Sequence, residues 1–173
     1  YLSATVKKFL NLGKIEKGDL KASKSIIKLK KDVFDSTINA LVPVAQRKNM
    51  IIDDRIPPDI VIDADADLMQ IAANNLLGNA INYGTEYGNI VLSASAGDSE
   101  VRVEVYNDSI PITQQQAQRL FKRFYRLDNE QTRNTKGTGL GLFITKEIIE
   151  THGGKIWVEP RQKGNSFIFC LQK

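Results

Sequence analysis

Three asparagines, Asn75, Asn79 and Asn82, lie within the stretch Asp67 to Tyr83 at i, i+4 and i+7, a spacing that on a helix sets their carboxamides along one line. Asparagine costs about half a kcal/mol in a helix relative to alanine, so a row of them needs a compensating role. Carboxamide oxygens can ligate Mg²⁺ while the NH₂ groups donate to phosphate oxygens, and Mg²⁺ keeps several waters and takes few protein ligands. The row therefore suits a metal–triphosphate, although by itself it reads more readily as a solvated polar edge on a core helix. A second pattern, Lys136-Gly137-Thr138-Gly139-Leu140-Gly141-Leu142, stands directly before the amphipathic segment Leu142 to Ile149. Glycines let backbone N–H groups approach an anion closely, and the first turn of a helix adds unpaired donors and a positive dipole end. Phosphate binding and a plain tight turn both fit this run taken alone. Its spacing matches neither the P-loop nor the dinucleotide G-x-G-x-x-G pattern.

The elements that must hold these residues follow from periodicity. In the asparagine segment, Met69, Ala73, Leu76, Ala80 and Tyr83 recur at helical spacing and would pack on a sheet. Strands are expected at Met50 to Ile52, Ile60 to Ile62, Ile90 to Ala94, Val101 to Val105, Lys155 to Val158 and Phe167 to Phe169, with a hairpin turn at Ala96 to Ser99. Helices are expected at about 31–47, 67–83, 114–124 and 140–152, and Tyr1 to Ile15 carries a further helical stripe of Leu2, Val6, Phe9, Leu10 and Leu12 that needs a partner helix. The pattern predicts an α+β fold: a two-layer α/β sandwich, its mixed sheet covered by three helices, with an N-terminal helical appendage.

The asparagine helix and the glycine turn, in this order, resemble the N and G2 boxes of the histidine kinase branch of the ATPase superfamily that also holds type II topoisomerases, Hsp90 and mismatch-repair ATPases. Phe121-Lys122-Arg123-Phe124-Tyr125-Arg126 resembles the F box of that branch, and Thr151-His152-Gly153-Gly154-Lys155-Ile156-Trp157-Val158-Glu159 resembles the strand entry after the G2 helix. Leu10 to Gly18 resembles the end of the second dimerisation helix. The resemblance implies the Bergerat fold and divides the chain into a dimerisation-helix end at 1–18, a linker at 19–30 and a catalytic ATP-binding domain at 31–173. It implies ATP and Mg²⁺ as cofactors, with Asn79 on the metal, Asn75 beside the phosphates, Arg126 approaching the terminal phosphoryl group and Tyr83 packing near the nucleotide. The backbone from Gly137 through Thr138, Gly139, Leu140 and Gly141 to Leu142 would cradle the phosphates, and Leu127 to Lys136 would form a mobile lid. Without the family context, Arg126 reads equally as a surface ion pair and Phe124 as a core ring.

Two departures from the family pattern bear on function. The adenine-reading G1 box usually runs Asp-x-Gly-x-Gly-Ile, and Asn107-Asp108-Ser109-Ile110-Pro111-Ile112 takes its place. By spacing, Asn107 occupies the aspartate position and Ile112 closes the box, with Asp108 one residue out of register. A neutral acceptor is worth about 1 kcal/mol against roughly 1.5–3 for a charged one, which predicts nucleotide binding about tenfold weaker. Pro111 fixes its own φ and removes a donor, so this loop does not copy a glycine conformation. Asn82 stands where many relatives carry lysine, which removes a positive charge from the phosphate region.

The resemblance further implies transfer of the γ-phosphoryl group to a histidine outside this chain, relay to the aspartate of a response regulator receiver domain, and dimerisation of the parent kinase through its helices. His152 is the sole histidine, and before Gly153-Gly154 it reads as a helix C-terminal residue favoured by the dipole. The altered G1 box keeps a second reading open, that of a signalling scaffold with weak or no ATP binding. A clamp ATPase like the topoisomerase or mismatch-repair relatives fits less well, because the F box and dimerisation tail are present.

Composition narrows the remaining classes. The chain has 173 residues, 42% of them hydrophobic, which suits one domain with a short appendage. There is no apolar run of about eighteen residues and no signal-like opening, so a cytoplasmic piece without membrane contact of its own is expected, the parent's anchoring being a separate matter. A net charge of +4 and a Lys-rich patch at Lys21 to Lys31 without interleaved aromatics argue for a solvated face and against nucleic acid. The single cysteine, Cys170, lies in the apolar run Phe167 to Leu171 and is expected as a buried strand thiol without redox chemistry.

Overall fold

The computed structural model describes residues 13, 19–127 and 137–173. The appended helical stripe before residue 19 lies outside these residues, Gly13 apart, as does most of the expected lid, 128–136. The expected strands all form, each somewhat longer than its apolar run: β2 (Ile51–Arg55), β3 (Val61–Ala64), β4 (Asn89–Ala96), β5 (Glu100–Asp108), β6 (Lys155–Arg161) and β7 (Gly164–Gln172). A further strand, β1 (Ser25–Lys28), arises inside the segment expected as a linker and pairs antiparallel with β3. Its signal is hidden because only Ile27 turns into the core, while the adjacent Ile26 is 74% exposed and lysines flank the pair.

The main sheet runs β2-β4-β5-β7-β6, with β2 parallel to β4 and every other pair antiparallel. Helices α1 (Asp35–Gln46), α2 (Ala66–Tyr83) and α4 (Gly141–Thr151) cover one face: α1 packs on β2 and α2, α2 on β5 and α4, and α4 on β6. This is the expected two-layer sandwich. A wider helical turn, Leu29–Phe34, precedes α1 and buries Leu29, Val33 and Phe34 completely. The left-handed Asn49, φ 55°, then lets the chain turn from α1 into β2. The short α3 (Gln114–Ala117) is closed at its start by a reciprocal capping box between Thr113 and Gln116. The helix expected to run on to Phe124 stops at Ala117, and 118–124 continue as turns that leave Phe124 61% exposed, not a core ring.

Alternation along the strands separates a dry face from a wet one. Val101, Val103 and Val105 of β5 and Phe169 and Leu171 of β7 face the helices and are buried. The opposite face carries a charge lattice in which Arg161 pairs with Glu104 and Glu159, and Arg102 pairs with Glu159 while lying 5.2 Å from the Trp157 ring centroid. Cys170 falls on this second face and is only half-buried, contrary to expectation. Burial, and then the charge of Glu100, push its thiol up and away from thiolate chemistry.

Helices α2 and α4 run antiparallel and are joined at one end by His152. The imidazole is 4% exposed, its Nε2 accepts the Asp65 backbone N–H at 3.0 Å, and its Nδ1 lies 2.7 Å from the Ile148 carbonyl. That pairing assigns the single proton to Nδ1. His152 stands at the C-terminal end of α4, as expected, and its ring also connects the two helices. Asp65 meanwhile caps α2 through Leu68 N and accepts the Ser23 N–H, and Lys24 Nζ reaches the His152 carbonyl. Replacing His152 with Leu leaves the Asp65 N–H without an acceptor; unfolding free energy measured by urea titration is expected to fall by about 1–3 kcal/mol.

Candidate functional site

The site is laid out along α2. Nine residues of this helix are buried, among them Met69, Ala73, Leu76 and Ala80, so its remaining polar side chains are held at fixed angles. Asn75 is 5% exposed, and its Nδ2 donates to the Gly141 carbonyl at 3.2 Å and to Thr145 Oγ1 at 3.4 Å. Thr145 Oγ1 in turn donates to the same carbonyl at 2.9 Å. The first turn of α4 is thereby tied to the middle of α2. No side chain caps that turn, so the backbone N–H groups at Gly141 to Phe143 remain available as donors at a positive dipole end.

One turn beyond Asn75, Asn79 is half-buried and its side chain makes no hydrogen bond among the described residues. Tyr83, another turn on, stands against the glycine run: a methyl group on Gly137 would meet its hydroxyl at 3.8 Å. Arg126 also arrives here, its Nη1 donating to the Gly137 carbonyl at 3.1 Å. Gly139 has φ +69°, and a Cβ on it would lie 2.8 Å from the Phe124 carbonyl carbon, so only glycine fits. Phe124, itself left-handed at φ 59°, donates its N–H to the Gly139 carbonyl at 3.0 Å. Two hydrogen bonds thereby join Phe124 and Arg126 to the glycine run. Of the remaining turn residues, Thr138 is exposed, Leu140 is buried and Leu142 is half-buried. Lys136 lies outside the described residues. Asn82 is exposed, and its side chain is not drawn into this network.

Past the end of α2, Thr85 donates its N–H to the Asp108 carbonyl at 2.8 Å, which brings the end of β5 beside the helix. Asn107 is on the helix side of β5 and 2% exposed; its Nδ2 makes one long bond, 3.4 Å, to the Asp108 carbonyl, and its Oδ1 makes none. Asp108 points to the other face, where it accepts from Tyr106 Oη at 2.7 Å and from Asn89 N and Nδ2 at 2.8 and 3.1 Å. Burial works to raise the Asp108 carboxyl, but these hydrogen bonds and the charge of Lys163 outweigh it and hold it below its ordinary range. Burial, then the bond to Asp108, push the Tyr106 phenol up to about 12. Ile112 closes the loop over a small apolar cluster with Ala117, Leu120 and Val158.

Sequence reasoning missed Thr145, Asn165 and Lys48. Asn165 bonds the Ser109–Ile112 loop, and Lys48 donates to the carbonyls of Ile81 and Asn82, satisfying the C-terminal end of α2. The one available signal was a polar residue, Asn165, on the inward register of a strand that strongly disfavours asparagine. Among the described residues no group of three or more His, Cys, Asp or Glu is arranged to hold a metal ion.

The chain belongs to the histidine kinase-, DNA gyrase B-, and HSP90-like ATPase family, whose pattern matches residues 64–173. It is 34% identical over 116 residues to the sensor histidine kinase WalK of Bacillus subtilis, covering 65% of this chain and 19% of WalK. It is 38% identical over 112 residues to the sensor protein VanS of Enterococcus faecium, covering 64% of this chain and 29% of VanS. The chain thus spans less than a third of these curated relatives. Among solved structures, the nucleotide-free catalytic domain of histidine kinase ThkA superposes with a TM-score of 0.78 at 29% identity, covering 87% of this chain and 96% of that one. Full-length ShkA in complex with AMPPNP gives 0.83 at 25% identity, covering 98% of this chain and 35% of that one.

The Asp108 carboxylate yields a pH prediction. A group held below its ordinary pKa contributes stability that is present above about pH 4 and lost as pH falls through the lowered value. Asp108→Asn is expected to flatten the acid side of the stability profile, read as urea midpoints taken stepwise below about pH 5.

Proposed function

We propose that this chain is the Mg-ATP-binding catalytic part of a sensor histidine kinase that passes the γ-phosphoryl group to a histidine outside the chain, for relay to a response regulator aspartate. The observation that carries the reading is the uncapped first turn of α4, tied by Asn75 to the helix on which Asn79, without a hydrogen-bond partner among the described residues, stands one turn away. A triphosphate supplies the acceptors that those backbone donors lack, and Asn79 offers a neutral oxygen to its metal. The residues present therefore fit Mg²⁺, which when bound neutralises phosphate charge and orients the chain of phosphates.

Within this reading Asn75 holds the α4 turn beside the phosphates, Arg126 approaches the terminal phosphoryl group, and the backbone from Gly137 to Leu142 supplies the cradle, with Lys136 joining it. Tyr83 packs near the nucleotide, Asn107 Oδ1 accepts from the adenine amine, Ile112 borders the base, and Asn82 lies at the phosphate rim. His152 does not serve as acceptor, since both its ring nitrogens are engaged and it is buried. The bound state of the related ShkA, with AMPPNP, supports nucleotide use here. No described helix is long and apolar enough to cross a membrane. In this reading 31–173 is the catalytic domain, 19–30 links it, and 1–18 corresponds to the end of the dimerisation region of the parent kinase.

The scaffold reading draws on one feature, the neutral Asn107 in a loop without glycine. Titration with a fluorescent ATP analogue and Mg²⁺ separates the two: saturation in the micromolar range supports the kinase, and none at millimolar nucleotide supports the scaffold. Phosphotransfer is read by adding labelled ATP to the chain together with the parent's dimerisation helices. Asn79→Ala is expected to weaken Mg-ATP binding about tenfold, some 1.4 kcal/mol, while the thermal midpoint stays close to that of the unaltered chain. A large drop in that midpoint would instead make Asn79 a structural residue.

A further inference from the structure

The loop Ser109–Ile112 borders the candidate base site, yet it contains no glycine and no residue with positive φ. Its shape comes from a side chain on a neighbouring strand. Asn165 of β7 pairs directly across from Asn107 of β5, so the two side chains share the helix-facing side of the sheet, and both are buried, at 5% and 2% exposure. The Asn165 carboxamide is spent on the loop: Oδ1 accepts the Ile112 N–H at 2.9 Å, and Nδ2 donates to Ser109 Oγ at 2.8 Å and to the Ile110 carbonyl at 3.0 Å. Ser109 Oγ passes the contact on to the Asn107 carbonyl at 3.4 Å, and Ser109 N donates to the Lys163 carbonyl at 3.1 Å. Gly164, beside Asn165, lets β7 come close enough for this: a Cβ there would lie 2.1 Å from the Asn107 carbonyl oxygen.

We propose that Asn165 is a positioning residue for base recognition, holding the Ser109–Ile112 loop and the backbone of Asn107 in the form that selects adenine. The role rests on the reading of the cleft as an ATP site. It assigns to a side chain what glycine conformations would otherwise do, and it makes the selectivity for the base depend on a residue that does not touch the nucleotide. Because Asn165 lies at the base end, away from the α4 turn held by Asn75, its loss should leave the phosphate end unchanged.

The test compares the unaltered chain with Asn165→Ala and with Ser109→Ala, which removes one of the three Asn165 bonds and the Ser109 Oγ contact to the Asn107 carbonyl, and leaves the Asn165 bonds to Ile112 and Ile110. Each is titrated with Mg-ATP, with Mg-ITP, whose base carries a carbonyl in place of the amino group, and with inorganic tripolyphosphate plus Mg²⁺. Asn165→Ala is expected to weaken ATP roughly five- to tenfold and to narrow the preference for ATP over ITP, with tripolyphosphate binding unaltered. Ser109→Ala should move the same preference in the same direction by less, and it carries the comparison if Asn165→Ala does not fold. An unchanged ATP-to-ITP ratio in the variants overturns the positioning role, as does an equal loss for all three ligands, which marks general destabilisation. Failure of the unaltered, folded chain to saturate with Mg-ATP overturns the reading of the site, and the role of Asn165 with it.

Discussion

The bond from the Asn75 carboxamide to the Gly141 carbonyl is the constraint around which the site is organised. It joins two helices that are far apart in sequence at the one place where a helix start must be kept free of its own cap. A capping serine or aspartate at position 140 would satisfy the local donors and close the site chemically. Leu140 stands there instead, buried, and the register of α4 is set from outside by Asn75 and from within by Thr145. Local helix stability has been given up at the N-terminus of α4 and recovered by burial of Ile144, Ile148 and Ile149.

Period-two alternation makes the second division that matters, between Asn107 and Asp108. Neighbours on β5 point to opposite faces, so the carboxylate enters the wet charge lattice and the carboxamide enters the cleft side. A shift of register by one residue would exchange them. Asp108 is occupied by Tyr106 and Asn89, so the polar character of the inner face at this end comes from two asparagines side by side. The modest electrostatics of this end of the cleft follow from that pairing.

Much of this was legible in the sequence where periodicity is strong. The long stripe of α2 and the alternating β4 and β5 needed no tertiary information, because burial on one face writes itself into the residue order. The glycine run was legible because Gly139 fills a left-handed position against the Phe124 backbone. What escaped depends on partners distant in sequence. The contact of the Asp65 N–H with the His152 ring and the bonds of Asn165 to the 109–112 loop both join residues distant in sequence, which local pattern does not record. β1 escaped because a strand that buries one side chain carries almost no pattern, and α3 was over-extended because propensity persists past the point where packing ends.

The entry of the chain into the domain has a mechanical consequence. Ser23 is fastened to Asp65 and Lys24 to His152, at the ends of α2 and α4 that lie away from the glycine turn. The eleven residues of α4 separate that anchorage from the turn by about 16 Å. The tether therefore grips a stiff rod by its rear end. A pull on Ser23 or Lys24 would load α2 and α4 at the ends remote from the glycine turn.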